Sequence, residues 1–161
     1  MNKEPRGLLA GSMLRQDGTC PGKPGRFLRL IYMDKQYHHY VFKTYKGKST
    51  LLDEEMIAYL GKTFEEISKE KGFPLLAYNI LEDHVHLLVR QSSLDNTNYV
   101  MRVFKGASSR YLFKQYPTNR YEHRKLWGRG YYSEVILEEH LLDKIDYIKN
   151  QKDSKGVDKR Y

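Results

Sequence analysis

Residues 83–89 read Asp83-His84-Val85-His86-Leu87-Leu88-Val89. Alternate side chains of an extended chain share a face, so His84, His86 and Leu88 point one way and Val85, Leu87 and Val89 the other. The pattern is that of a half-buried strand: the apolar set enters a core, while two imidazoles stand together about 7 Å apart at the backbone. From there they can lean onto one ion at about 2.0–2.2 Å. Two histidines do not complete a metal shell. Either a third donor comes from elsewhere in the chain, or they are a pair of partly exposed strand histidines.

The segments on either side give this strand its place. Leu75 to Leu81 forms a strand just before it, joined by a tight connection near Glu82-Asp83. Further upstream, Tyr37-His38-His39-Tyr40-Val41-Phe42-Lys43-Thr44-Tyr45 is rich in aromatic and β-branched residues and is closed by a turn at Lys46-Gly47-Lys48. His38 and His39 are adjacent, hence on opposite faces and unable to chelate as a pair; they read as structural. Asp53 caps a helix from about Glu54 to Lys71, ended by Gly72 and Pro74. Its Met56, Ile57, Leu60, Phe64 and Ile67 recur at helical spacing. A second helix spans about Asn96 to Tyr116, with Tyr99, Val100, Val103, Phe104, Ala107, Tyr111 and Leu112 inward. Tyr131 to Leu137 is a fourth strand, and His140 to about Lys152 a third helix. The order is β-α-β-β-α-β-α. It predicts an α+β fold: a ferredoxin-like, RRM-like antiparallel sheet with helices on one face, plus a C-terminal helix.

The 161 residues fit one domain, expected over 25–152, with 40% hydrophobic residues to build a core. Residues 1–24 carry too many Pro and Gly for a regular element and read as a flexible tail, as do the charged residues 153–161. Phe27 to Met33 reads as a short strand or a packed lead-in. The formal charge of +8 and pI near 9.4 favour an anionic partner, nucleic acid before membrane. One cysteine, Cys20, excludes a disulfide framework within the chain and a cysteine-type zinc site. No apolar run approaches the ~20 residues that span a bilayer, and no signal-like stretch opens the sequence, so a cytoplasmic protein without membrane partners is expected.

The last helix carries the second polar device. Leu141, Leu142, Ile145 and Ile148 mark its apolar face. Tyr147 and Gln151, four apart, stack about 6 Å along the axis on a face off that stripe, shared with Lys144. One reading is an ordinary exposed helix face. The other joins the two devices: His84, His86 and Gln151 as three metal ligands, with the Tyr147 hydroxyl one turn away. A hydroxyl beside a divalent ion suits nucleophilic attack on a phosphodiester.

His84-Val85-His86 followed by Leu-Leu-Val, with Tyr147-x-x-x-Gln151 near the C-terminus, resembles the one-tyrosine HUH transposases of the insertion-sequence 200/605 group. Three more stretches, Tyr37 to Lys46, Phe104 to Phe113 and Leu126-Trp127-Gly128-Arg129-Gly130-Tyr131-Tyr132, are similar to that family's other landmarks in the same order. The resemblance covers about residues 36–152. It implies Tyr147 as catalytic nucleophile on single-stranded DNA, and His84, His86 and Gln151 as ligands of Mg²⁺ or Mn²⁺. It further implies a 5′-phosphotyrosine link with a free 3′-hydroxyl, recognition of hairpins at element ends, and a homodimer. Some members have a glycine between the last strand and the tyrosine helix; Val135 to His140 has none. The Leu-Trp-x-Arg-x-Tyr-Tyr pattern also resembles transposases associated with repetitive extragenic palindromes, which keeps a domesticated HUH nuclease acting on such palindromes as an alternative. Histidine ligands suit Mn²⁺ or Zn²⁺ better than Mg²⁺, so purified protein can hold another transition metal.

Between Val100 and Gly130 stand eight Lys/Arg and one acid, Glu122, interleaved with Tyr111, Tyr116 and Tyr121. Cations neutralise phosphates and aromatic rings stack on unpaired bases. Lys105, Arg110, Ser108 and Arg129 are the expected DNA-binding residues, with a solvated helix face as the alternative. Two other functions remain: a non-catalytic single-stranded nucleic-acid-binding module, and a nuclease in which water attacks. The first is disfavoured because the strands carry no aromatic RNP signature.

Overall fold

A computed structural model describes residues 35–117 and 124–152. The expected tails at 1–24 and 153–161, the Phe27 to Met33 strand, Cys20, Arg120, Tyr121 and Glu122 lie outside the described residues. Within them the order is β1 (Lys35–Lys43), α1 (Glu54–Lys71), β2 (Leu75–Ile80), β3 (His84–Ser92), α2 (Thr97–Gln115), β4 (Tyr132–Ile136) and α3 (Leu141–Asn150). The four strands form one antiparallel sheet in the order β2-β3-β1-β4. This is the expected split βαβ arrangement, with β3 between the two strands that α1 connects.

Alternation along the strands splits the sheet into two chemically different faces. Tyr40 and Phe42 of β1 and Val85, Leu87 and Val89 of β3 are buried in the main core. Met56, Leu60, Phe64 and Ile67 of α1 and Val100, Met101, Phe104 and Leu112 of α2 complete that core. Asp53 accepts from the Glu55 N–H and Asn96 from the Asn98 N–H, so both helices begin on side-chain caps. Gly72, at φ 72°, ends α1 in the left-handed conformation that suits glycine. The opposite face has its own small cluster of Ala77, Leu88, Ile136 and Ile148, flanked by Leu141 and Ile145. Hence α3 covers the histidine face, while α1 and α2 cover the other.

Three details depart from expectation. β1 ends at Lys43; Thr44 bridges Trp127, and Tyr45–Gly47 makes a 3-10 turn. Tyr99, expected inward, is 45% exposed in the first turn of α2, its ring edge-on to Phe73 and beneath Arg102. Leu142 is 75% exposed, because the stripe that α3 buries runs through Leu141, Ile145 and Ile148, and Leu142 is rotated ~100° from Leu141. No helix among the described residues is long and apolar enough to cross a membrane.

Candidate functional site

The histidine face and α3 enclose a polar cluster. His84 and His86 are 1% and 2% exposed, with ring centroids 5.0 Å apart and planes inclined at 67°. They are therefore buried, not the partly exposed pair that the strand alone allowed. His84 donates from Nδ1 to Asp83 Oδ1 at 2.6 Å, which directs Nε2 away from that carboxylate. His86 Nδ1 lies 2.9 Å from His39 Nε2, the two rings nearly coplanar at 10°. His39 was read as structural from sequence. The β1–β3 register places His39 opposite Leu88 and Val41 opposite His86, so His39 shares the face of the two histidines.

Tyr147 comes from α3. Its ring stands 6.5 Å from that of His86 and 6.4 Å from that of His39, nearly perpendicular to both. The side chain is 50% exposed and lines a groove of about 450 Å³ between β4 and α3. Lys144 lies 5.2 Å over the tyrosine ring and 2.9 Å from Glu134 Oε2. Gln151 closes α3. Asn79 of β2 donates to the carbonyls of Ile148 and Gln151 at 2.8 and 2.7 Å, and Asn79 stands opposite His86 in the β2–β3 ladder. The helix end is thereby tied beside the histidines.

The unsatisfied atoms define what the cluster can hold. His84 Nε2, His86 Nε2 and Gln151 Oε1 are buried without a hydrogen-bond partner, as are His39 Nδ1 and Thr50 Oγ1. A buried polar atom left unpaired is costly, and two imidazole nitrogens with an amide oxygen are competent metal donors. Among the described residues no three His, Cys, Asp or Glu side chains are grouped so as to hold a metal ion. Burial pushes His86 down to about 3, helped by His39, His84 and Lys144. Burial and then Lys144 take His39 to about 4, against the pull of Glu134. Both rings are neutral near pH 7, the form that binds metal. Burial alone would raise the Glu134 carboxyl; the Lys144 hydrogen bond and charge, with His39 behind them, hold it below its usual range.

The basic region divides. Arg110 and Arg129 are exposed. Lys105 instead donates to the carbonyls of Gly128, Arg129 and Gly130 at 2.6, 3.2 and 3.1 Å, and burial lowers its pKa. Ser108 is fully buried, accepting from Trp127 Nε1 and donating to the Lys105 carbonyl. The expected phosphate-binding role does not fit Ser108, and Lys105 is a strap on the 128–130 loop. Trp127 is a core residue, edge-on to Phe42 at 4.8 Å. A separate groove of about 350 Å³ is lined by Lys43, Lys46, Gly128 and Arg129 among others. Lys43 pairs with His84 across β1 and β3, so this groove borders the histidine site.

A family model described as Transposase IS200 like matches residues 32–151. The transposase for insertion sequence element IS200 of Salmonella typhimurium is 27% identical over 116 residues, covering 71% of this chain and 75% of that protein. The ISDra2 transposase TnpA of Deinococcus radiodurans is 26% identical over 123 residues, covering 73% and 86%. A solved Deinococcus radiodurans structure with a transposase description superposes at TM-score 0.61, with 27% identity over 80% of this chain and 97% of its own. The fold is also similar to a REP-associated tyrosine transposase bound to a REP hairpin, at TM-score 0.53 and 14% identity, over 71% of this chain and 65% of that one.

Proposed function

Because the chain belongs to the IS200-like transposase family, we propose that it cleaves and rejoins single-stranded DNA at hairpin-bearing ends, with Tyr147 as nucleophile. The observation that carries the reading is the approach of Tyr147 to buried His86, itself beside buried His84, with the Nε2 atoms of both histidines lacking a partner. His84, His86 and Gln151 would hold a divalent ion, Mn²⁺ or Mg²⁺. When bound, such an ion polarises the scissile phosphate and offsets charge in the transition state.

The residues of the chain supply the rest. The half-exposed Tyr147 hydroxyl gives its proton to solvent water as its oxygen attacks phosphorus. The bond from phosphorus to the 3′-oxygen breaks, and that oxygen takes up a proton to become a 3′-hydroxyl. The protein then carries a 5′-phosphotyrosine, and attack by a second 3′-hydroxyl reverses the step and joins strands without a nucleotide cofactor. Lys144, held by Glu134, lies over the tyrosine ring and limits the orientations open to it. Lys43 and Arg129 line the groove that borders the histidines and would give phosphates a path to the site.

Hairpin recognition is carried over from the REP-associated tyrosine transposase of similar fold, which is bound to a REP hairpin. Homodimer assembly fits edge strand β4, where Val135 and, just past the strand, Leu137 are exposed apolar residues. A binding module that uses an open sheet face fits poorly, since α3 covers the histidine face. The test uses hairpin oligonucleotides labelled at either end, with Mn²⁺ or with chelator. Metal-dependent cleavage that leaves a free 3′-hydroxyl and blocks the 5′ side supports the reading. Binding without cleavage across hairpins and metals would favour the binding module.

A further inference from the structure

We infer that His39 and Glu134 act as positioning residues for His86, fixing which of its ring nitrogens carries the proton and so which one faces the metal site. The inference rests on the proposed ligand role of His86. It begins with the contact between two rings. His39 Nε2 and His86 Nδ1 are 2.9 Å apart in nearly coplanar imidazoles, so one proton lies between two nitrogens.

Neutral rings allow two arrangements. If His39 donates, His86 must carry its own proton on Nε2, where it is a buried donor with no acceptor and no lone pair for a metal. If His86 donates from Nδ1, its Nε2 presents a lone pair to the site. Glu134 selects between them. Its Oε2 lies 3.6 Å from His39 Nδ1, an ion-pair distance rather than a hydrogen bond. The same carboxylate oxygen is held by Lys144 at 2.9 Å. The negative charge favours a proton on the nearer nitrogen of His39, which leaves His39 Nε2 to accept. The chain from Glu134 through His39 to His86 then has one consistent direction. His84 gets the same result from a single neighbour, Asp83. Outer partners of this type set the tautomer and orientation of ligand histidines.

Two measurements test it. Long-range proton–nitrogen correlation spectra of metal-free protein, ¹⁵N-labelled at histidine, should show His86 protonated at Nδ1 and bare at Nε2. A proton on Nε2 overturns the inference. Mn²⁺ titration calorimetry then compares wild type with His39→Phe, His39→Gln and Glu134→Gln. The glutamine oxygen can accept the same hydrogen bond, so His39→Gln should stay close to wild type, whereas His39→Phe should lose about 10–100-fold in affinity. Equal affinities for His39→Phe and wild type overturn it too. Should His39→Phe fail to fold, the wild-type spectrum and its change in Glu134→Gln still decide. If wild type takes no Mn²⁺, the metal reading fails, while the spectrum still settles the direction of the chain.

Discussion

The Asn79 side-chain nitrogen lies 2.7 Å from the carbonyl oxygen of Gln151, and Asn79 itself stands opposite His86 on the neighbouring strand. One side chain on an edge strand thus fixes the end of the tyrosine helix next to the histidines. Asn79→Asp sets a carboxylate against the carbonyls of Ile148 and Gln151 and removes both hydrogen bonds. We expect Mn²⁺ affinity to fall about tenfold, as for other outer-shell losses, and stability to fall by about 1–3 kcal/mol. Calorimetry and urea unfolding check the two effects. Unchanged metal affinity would remove Gln151 from the ligand set.

Lys105 makes a contrasting case, in which a residue on a basic helix serves the fold. Its three carbonyl contacts hold the 128–130 loop against α2. Lys105→Met should cost about 1.5–3 kcal/mol, the usual range for charged hydrogen bonds, read as a lower urea midpoint. Stability equal to wild type would return Lys105 to the DNA-facing surface.

The cationic groove of Lys43, Lys46 and Arg129 borders the histidine site. Arg129→Gln should weaken single-stranded DNA binding and lower the slope of log K against log salt by ~0.7, the loss of one phosphate contact on a single strand. Fluorescence anisotropy over a salt series measures it. An unaltered slope would place the DNA elsewhere.

Acid should destabilise the metal-free protein well above the carboxylate range. His38, His39 and His86 all have folded pKa values below the ordinary 6.5, chiefly through burial, with His39 at about 4 and His86 at about 3. Below pH 6.5 the unfolded chain therefore binds more protons than the folded one. Stability is full above pH 6.5 and is lost as pH falls from there toward 4 and below, by on the order of a few kcal/mol. Urea midpoints between pH 7.5 and 4.5 report it, and a flat profile would contradict the burial of these rings.

The sequence carried the fold well because its signals were local. Alternation in β3, the Asp53 and Asn96 caps and the Gly72 stop each act within a few residues. The proposed set of His84, His86, Tyr147 and Gln151 came from spacing joined to resemblance, and the fold brings Tyr147 to within ring distance of His86. His39 was not, because its role depends on a register with a strand 47 residues away. Asn79 and Glu134 depend likewise on where α3 packs. Ser108 and Lys105 were read as surface because nothing local to α2 reveals Trp127 or the carbonyls of the 128–130 loop. Leu142 shows the limit of an apolar stripe, since α3 buries a narrower band than its leucines suggest.

The central claim is that Tyr147 itself forms the bond to DNA. The direct measurement is to incubate the protein with Mn²⁺ and a single-stranded hairpin oligonucleotide, denature, digest, and map any nucleotide-bearing peptide by mass spectrometry, beside Tyr147→Phe. The account expects a phosphodiester adduct on the peptide containing Tyr147, carrying the 3′-side fragment, and no adduct in the variant. Cleavage that persists in Tyr147→Phe with no adduct in either protein would contradict it and identify water as the nucleophile.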